Sequence, residues 1–279
     1  MIRSLLFVPG DSESKLQKAR RVSADALVLD WEDAVLPQNK FLARKLSLAF
    51  LSGQASSGTT LLIRINPATS PHFAEDCLAL ETALPNAILL SKCQSVSEVQ
   101  QLDEFLAQRD SDSRVRIYPQ VESPLAILNA FAIATSCPRV AGLTFGAEDF
   151  SADMGITRTE GEIELLYARS ALVTACRAAG RDGIDSPCLE WKNLEKLRAH
   201  TLSARNMGFS GKFAIHPEQV PVINAIFSPS AVEVERARRI LAAFSASPSG
   251  VLAVDGSMVD EAVVRHARQV LEMAGESFS

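Results

Sequence analysis

The chain has 279 residues, 47% of them hydrophobic, and a formal net charge of −5. That length and apolar content suit one α/β barrel with a large core, while the acidic balance, with no basic run longer than Arg20-Arg21 or Arg238-Arg239, argues against a nucleic-acid partner. No stretch approaches the roughly 18 uninterrupted apolar residues of a membrane-spanning helix, and the apolar run before Pro9-Gly10 is too short for a signal peptide.

The five cysteines, Cys77, Cys93, Cys137, Cys176 and Cys188, show no C-x-x-C spacing and read as reduced thiols of a cytoplasmic protein. The four histidines show no H-x-x-x-H, which argues against zinc.

Short β-type runs alternate with longer helical patterns from the N-terminus onward. Residues 4–9 form the first expected strand, closing at Gly10-Asp11, and residues 26–29 the second, running into Asp30-Trp31-Glu32-Asp33. After a helix carrying Phe41, Leu42, Leu46, Ala49 and Phe50, residues 60–65 make the third, with Arg64 and Asn66 at its end. Residues 87–90 make the fourth, ending at Ser91-Lys92, and the following helix opens with the capping box Ser95-Val96-Ser97-Glu98.

Residues 115–121 and 140–145 are the fifth and sixth strands, and both end in carboxylates: Glu122 after one, Glu148 and Asp149 after the other. Between them residues 124–135 read as one helix, with Ser123 as its cap and Pro124 in its first turn. A long helix is expected over 160–179, a weak seventh strand over 183–185, a helix over 189–207 stopped by Gly208, and an eighth strand over 212–215 before His216-Pro217. Eight strand-then-helix units without a chain reversal describe a (β/α)₈ barrel better than an open sheet. Beyond it come a helix over 230–244, a Ser/Pro/Gly linker over 245–250, and a run over 251–256 that leads into a last helix.

In such barrels the reactive groups sit at the carboxyl ends of the strands. Here those ends supply Asp11, Asp30, Glu32, Asp33, Glu122, Glu148, Asp149 and Asp185, with Arg64 as the one arginine. Oxygen donors without soft ligands favour Mg²⁺ or Mn²⁺, and Mg²⁺ takes one or two protein carboxylates and leaves its other positions to water and substrate. Glu122 with either Glu148 or Asp149 suffices. Such a metal would chelate an α-keto acid and polarise its carbonyl. Arg64 then either grips the substrate carboxylate and a developing oxyanion, or serves as a structural partner of the neighbouring acids.

The segments Arg3-Ser-Leu-Leu-Phe-Val-Pro-Gly10, Asp30-Trp-Glu-Asp-Ala-Val35, Arg64-Ile-Asn66, Gln120-Val-Glu-Ser123, Phe145-Gly-Ala-Glu-Asp149, Gly208-Phe-Ser-Gly-Lys-Phe-Ala-Ile-His-Pro217 and Asp255-Gly-Ser-Met-Val-Asp260 occur in that order. Together they resemble the citrate lyase β-subunit-like family within the HpcH/HpaI aldolase/citrate lyase superfamily. The resemblance implies a TIM barrel over residues 1–228 and a C-terminal helical extension over 229–279 that covers an active site of a neighbouring subunit. It implies cleavage of citryl-, malyl- or citramalyl-type thioesters into an acyl thioester and an α-keto acid. The expected partners are a CoA or acyl-carrier thioester and further copies of the chain, as a trimer or hexamer, with neither nucleic acid nor membrane.

By motif, Glu122 and Asp149 would be the Mg²⁺ ligands, Arg64 would bind and polarise substrate, and Asp260 would be a catalytic acid lent to the neighbouring subunit. Asp30, Glu32, Asp33 and Glu148 would orient Arg64 and metal-bound waters. Phe7, Pro9, Asn66, Gly146, Ala147, Ile215, His216 and Pro217 would contact substrate, the last three near the CoA or carrier arm. Trp31 departs from the pattern, which expects a smaller apolar residue, and is expected to alter packing and leave the metal site alone. Two alternatives stay open: a class II pyruvate-type aldolase acting on free hydroxy acids, and a subunit of a citrate lyase complex acting on a carrier-protein thioester.

Overall fold

The computed structural model describes residues 2–53, 58–246 and 250–276. Eight parallel strands close into one barrel in sequence order: β1 (Ser4–Pro9), β2 (Ala26–Asp30), β3 (Thr60–Ile65), β4 (Ala87–Leu90), β5 (Arg116–Val121), β6 (Gly142–Phe145), β7 (Asp182–Asp185) and β8 (Gly211–Ala214). β8 returns to β1 through the Ser4–Lys212 to Leu6–Ala214 register, so no edge is left unpaired. This is the expected (β/α)₈ architecture.

Side chains alternate between the barrel interior and its helix-facing surface. One buried cluster, including Leu5, Val28, Leu62, Leu89, Tyr118, Ile184 and Phe213, fills the interior. The same alternation, followed two residues further up each strand, leads from Val28 to Asp30, from Leu62 to Arg64, and from Tyr118 to Gln120 and Glu122. The apolar filling therefore gives way to polar groups at the carboxyl ends.

Several elements differ from expectation. The helix over 124–135 is two short ones, Pro124–Leu128 and Ala130–Ala134, broken at Asn129, whose side chain donates to the Gln94 carbonyl at 2.9 Å. Glu148 and Asp149 lie in the first turn of a helix, Ala147–Met154, that the sequence pattern does not announce; it ends at Gly155 in the left-handed conformation. The next helix starts later than residue 160, after a 3₁₀ turn Ile163–Leu165, and runs Leu166–Ala178. The helix before β8 runs Leu194–Met207 and starts at Asn193, whose side chain accepts from the Lys196 N–H.

A second compact unit, residues 225–279, contains the helix Ala231–Ser245 with a complete Ser230/Glu233 capping box, and the helix Glu261–Met273. Val264, Ala267, Val270 and Leu271 of the last helix pack against Ala237, Ile240 and Leu241 of the first. The run over 251–256 belongs to an antiparallel hairpin, β9 (Leu252–Val254) with β10 (Ser257–Val259). Asp255 and Gly256, both at positive φ, form its two-residue turn. Part of the expected linker, residues 247–249, lies outside the described residues.

Candidate active site at the carboxyl ends of the strands

Asp30 and Arg64 occupy paired positions on β2 and β3, so their side chains leave the strands side by side. The guanidinium makes a two-pronged contact with the carboxylate, Nε to Oδ1 at 2.7 Å and Nη2 to Oδ2 at 2.6 Å. Asp30 also accepts from the Glu32 and Ala34 N–H groups, which fixes the turn that carries the other two acids. Arg64 Nη1 lies 3.2 Å from Glu32 and 3.8 Å from Asp33, and the guanidinium sits 4.8 Å above the Phe7 ring. Burial alone would lower the Arg64 pKa, but Asp30, Glu32 and Asp33 reverse that and raise it above its ordinary value. Arg64 is thus a permanently charged, immobilised donor, held as an ion-pair partner of the acids at the carboxyl ends of β2 and β3.

Glu122 follows β5 and is only 4% exposed. Its Oε1 accepts from the Lys92 backbone N–H and its Oε2 from Gln120 Nε2, each at 2.7 Å. Lys92 reaches this position with φ at 49°, in the left-handed region. Burial, and then the nearby Asp149 carboxylate, push the Glu122 pKa up to about 8. A buried carboxylate whose ionisation is opposed by burial and by the neighbouring Asp149 charge forms, with that neighbour, a donor set that a hard divalent cation relieves. Among the described residues no group of three or more His, Cys, Asp or Glu side chains converges on one point. The pair, two hard oxygen donors, suits Mg²⁺, which takes one or two protein carboxylates and leaves its other positions to water and substrate.

Lys92 ties the two halves together. Its Nζ lies 2.6 Å from Glu32, 3.1 Å from Asp33 and 3.7 Å from Asp149. Although burial opposes the charge, the contacts with Glu32 and Asp33 raise its pKa. The Glu32 carboxyl is raised, by burial above all, against the pull of Arg64; Asp33 is lowered, because Glu32 and Lys92 outweigh its burial. Lys92 and Gln120 were given no role by spacing or motif. Both carried a readable signal: Lys92 its place just past the end of β4, and Gln120 its place two residues before Glu122 on the same face.

The remaining expected residues are placed as follows. Glu148 turns away from Asp149 to pair with Arg158, which also binds Glu162. All three line a cavity of about 510 Å³ together with Lys196 and His200. Gly146 makes room for Glu122: a Cβ there would collide with its carboxylate and lie 3.1 Å from Gln120 Nε2. Ala147 follows in the first helical turn, and Pro9 closes β1 opposite Asp30. Asn66 spends its amide on Asp76 at 2.7 Å and the Trp31 carbonyl at 3.2 Å.

Ile215 and His216 both donate their N–H groups to Gln219 Oε1, and the His216 ring stacks on Trp191 at 4.0 Å just before Pro217. Asp185 is saturated by Arg169 and Lys212, with Lys212 Nζ at 2.5 Å, and is a structural anion. Trp31 is wholly buried, and its ring closes on Gly10, where a Cβ would lie 3.0 Å from Trp31 Cδ1 and 2.8 Å from Ser47 Oγ. In the C-terminal unit Asp260 is the N-cap of the last helix; Oδ1 accepts from the Ala262 and Val263 N–H groups, leaving Oδ2 outside the cap.

The profile of the HpcH/HpaI aldolase/citrate lyase family matches residues 3–217. The citrate lyase subunit beta of Leuconostoc mesenteroides subsp. cremoris is 30% identical over 98% of this chain and 93% of its own. The (3S)-malyl-CoA thioesterase of Cereibacter sphaeroides is 32% identical over 98% and 94%. The crystal structure of CitE from Mycobacterium tuberculosis in complex with magnesium, acetoacetate and coenzyme A superposes with a TM-score of 0.83 at 30% identity, covering 98% of both chains. The chain belongs to the HpcH/HpaI aldolase/citrate lyase family.

Proposed function

We propose that this chain is a Mg²⁺-dependent carbon–carbon lyase that cleaves a 3-hydroxy-carboxyacyl thioester of the citramalyl-, malyl- or citryl-CoA type into an acyl thioester and an α-keto acid. The observation that carries the reading is the apposition, at one barrel mouth, of the buried Glu122 and its neighbour Asp149 with Arg64 locked in its charged form. Glu122 and Asp149 would hold Mg²⁺, which when bound would supply Lewis-acid polarisation of the keto-acid carbonyl.

Arg64 cannot reorient without breaking its two bonds to Asp30, so its donors are organised before substrate arrives. It meets the oxygen on which negative charge gathers as the bond between the α-carbon and the hydroxyl-bearing carbon breaks. Lys92 holds Asp33, Glu32 and Asp149 at fixed spacing and keeps their combined charge from repelling an anionic substrate. The hydroxyl proton leaves to solvent, and the electron pair of the broken bond passes to the thioester as its enolate. The α-carbon takes a proton from Asp260 of a neighbouring subunit, the group we assign to that transfer, and solvent then reprotonates Asp260. This assignment requires a homo-oligomer.

Purified protein incubated with Mg²⁺ and citramalyl-, malyl- or citryl-CoA tests the reading by two products at once. A lyase releases keto acid without free thiol. Free CoA without keto acid would replace this reading with thioester hydrolysis, the activity for which the C. sphaeroides relative is named. Glu122→Ala and Asp149→Ala are expected to lose Mg²⁺-dependent turnover, and undiminished activity in either would overturn the ligand assignment.

A further inference from the structure

Gln120 is buried, on the inward face of β5, between Tyr118 in the barrel filling and Glu122 at the mouth. Its amide is only half used. Nε2 donates to Glu122 Oε2 at 2.7 Å, whereas Oε1 is enclosed without a partner. Directly across, at the paired position on β6, Thr144 is fully buried and its Oγ1 likewise lacks a partner.

An enclosed carbonyl oxygen without a donor destabilises the fold, and an unbranched apolar side chain of the same reach would fill the site without that cost. Packing alone does not favour glutamine here. What glutamine adds is one N–H aimed at one carboxylate oxygen. That oxygen has little freedom, because the Gly146 backbone closes on it from the β6 side while Lys92 N–H holds the other oxygen.

We propose that Gln120 is a positioning residue for the cation site: it fixes the rotation of the Glu122 carboxylate and thereby sets Mg²⁺ affinity, at the expense of fold stability. The inference rests on the reading of Glu122 as a metal ligand. Replacing a group that orients a ligand typically weakens metal binding about 10–100-fold.

The test uses full-length Gln120→Met, Gln120→Leu, Thr144→Val and Glu122→Ala, each compared with wild type by thermal midpoint in EDTA and by calorimetric titration with Mg²⁺. Gln120→Met is expected to raise the midpoint of the metal-free protein by about 2–4 °C while weakening Mg²⁺ at least about ten-fold. Thr144→Val removes the neighbouring unpaired hydroxyl without touching Glu122, and is expected to raise the midpoint with Mg²⁺ affinity unchanged. A side chain with a purely structural role would lower the midpoint and leave affinity alone. Mg²⁺ affinity in Gln120→Met within two-fold of wild type, or a lowered midpoint in both Gln120→Met and Gln120→Leu, overturns the inference. If Glu122→Ala binds Mg²⁺ as wild type does, the ligand assignment itself falls. If Glu122→Ala loses the ion and Gln120→Met does not, only the role of Gln120 falls.

Discussion

At the scale of single residues, the site is organised by charges that cannot be removed one at a time. Arg64 and Asp30 are both almost fully buried and bonded at two points. Arg64→Ala leaves Asp30 enclosed beside Glu32 without its counter-charge, and is expected to cost about 3–5 kcal/mol of stability, read by urea unfolding. The double variant Arg64→Met with Asp30→Leu should recover most of that loss while remaining inactive, which separates the fold from the chemistry. A double variant no more stable than Arg64→Ala would mean that the pair does not act as a unit. Gly146→Ala addresses the same site from the other side. With no room for a Cβ beside Glu122, the carboxylate must move, and Mg²⁺ binding should weaken by at least about ten-fold while the fold is kept. Unchanged Mg²⁺ titration of a folded Gly146→Ala protein would contradict this.

At the scale of elements, strands and their ends were legible because a short continuous apolar run closed by a polar residue is a local signal of a strand buried on both faces: Asp30, Arg64 and Glu122 all follow buried apolar positions of their own strands. The helix Ala147–Met154 was not legible, since its eight residues open with two adjacent acids and carry no long apolar stripe. The β9–β10 hairpin was hidden by its length, three residues a side, although Asp255-Gly256 is a strong turn signal. Ion pairs such as Lys92 with Glu32 join residues about sixty positions apart, and nothing local encodes them. The C-terminal motif shows the converse: the resemblance implies a catalytic role for Asp260, and the structure shows the residue as a helix cap. The two roles separate by substitution. Asp260→Asn keeps a capping oxygen and is expected to change stability by less than about 0.5 kcal/mol while abolishing lyase turnover. Asp260→Ala should lose a further ~1 kcal/mol through the cap. Full activity in Asp260→Asn would leave Asp260 a cap and nothing more.

At the scale of the whole molecule, the closed barrel separates two ionic tasks. The mouth carries Arg64, Lys92 and their acids, while near the start of β1 Arg3 binds Asp25 through its backbone N–H at 2.9 Å and its guanidinium at 2.7–2.8 Å, joining the entry of β1 to that of β2. No described helix is long and apolar enough to cross a membrane, and all five cysteines are buried free thiols. Burial raises the Asp25 carboxyl, but the Arg3 hydrogen bonds and charge outweigh it and hold its pKa below the ordinary aspartate value. Because the folded form binds this proton less readily than the unfolded form, Asp25 adds stability above the unfolded value near ~3.9, and that stability is lost as pH falls through the lower folded value. Asp25→Asn should therefore lie below wild type in stability at pH 6, with the difference shrinking as pH falls below about 4. Denaturant midpoints measured from pH 6 to pH 2.5 check this. A wild-type-to-variant gap that stayed constant across that range would show that Asp25 holds the barrel floor by shape and not by its charge.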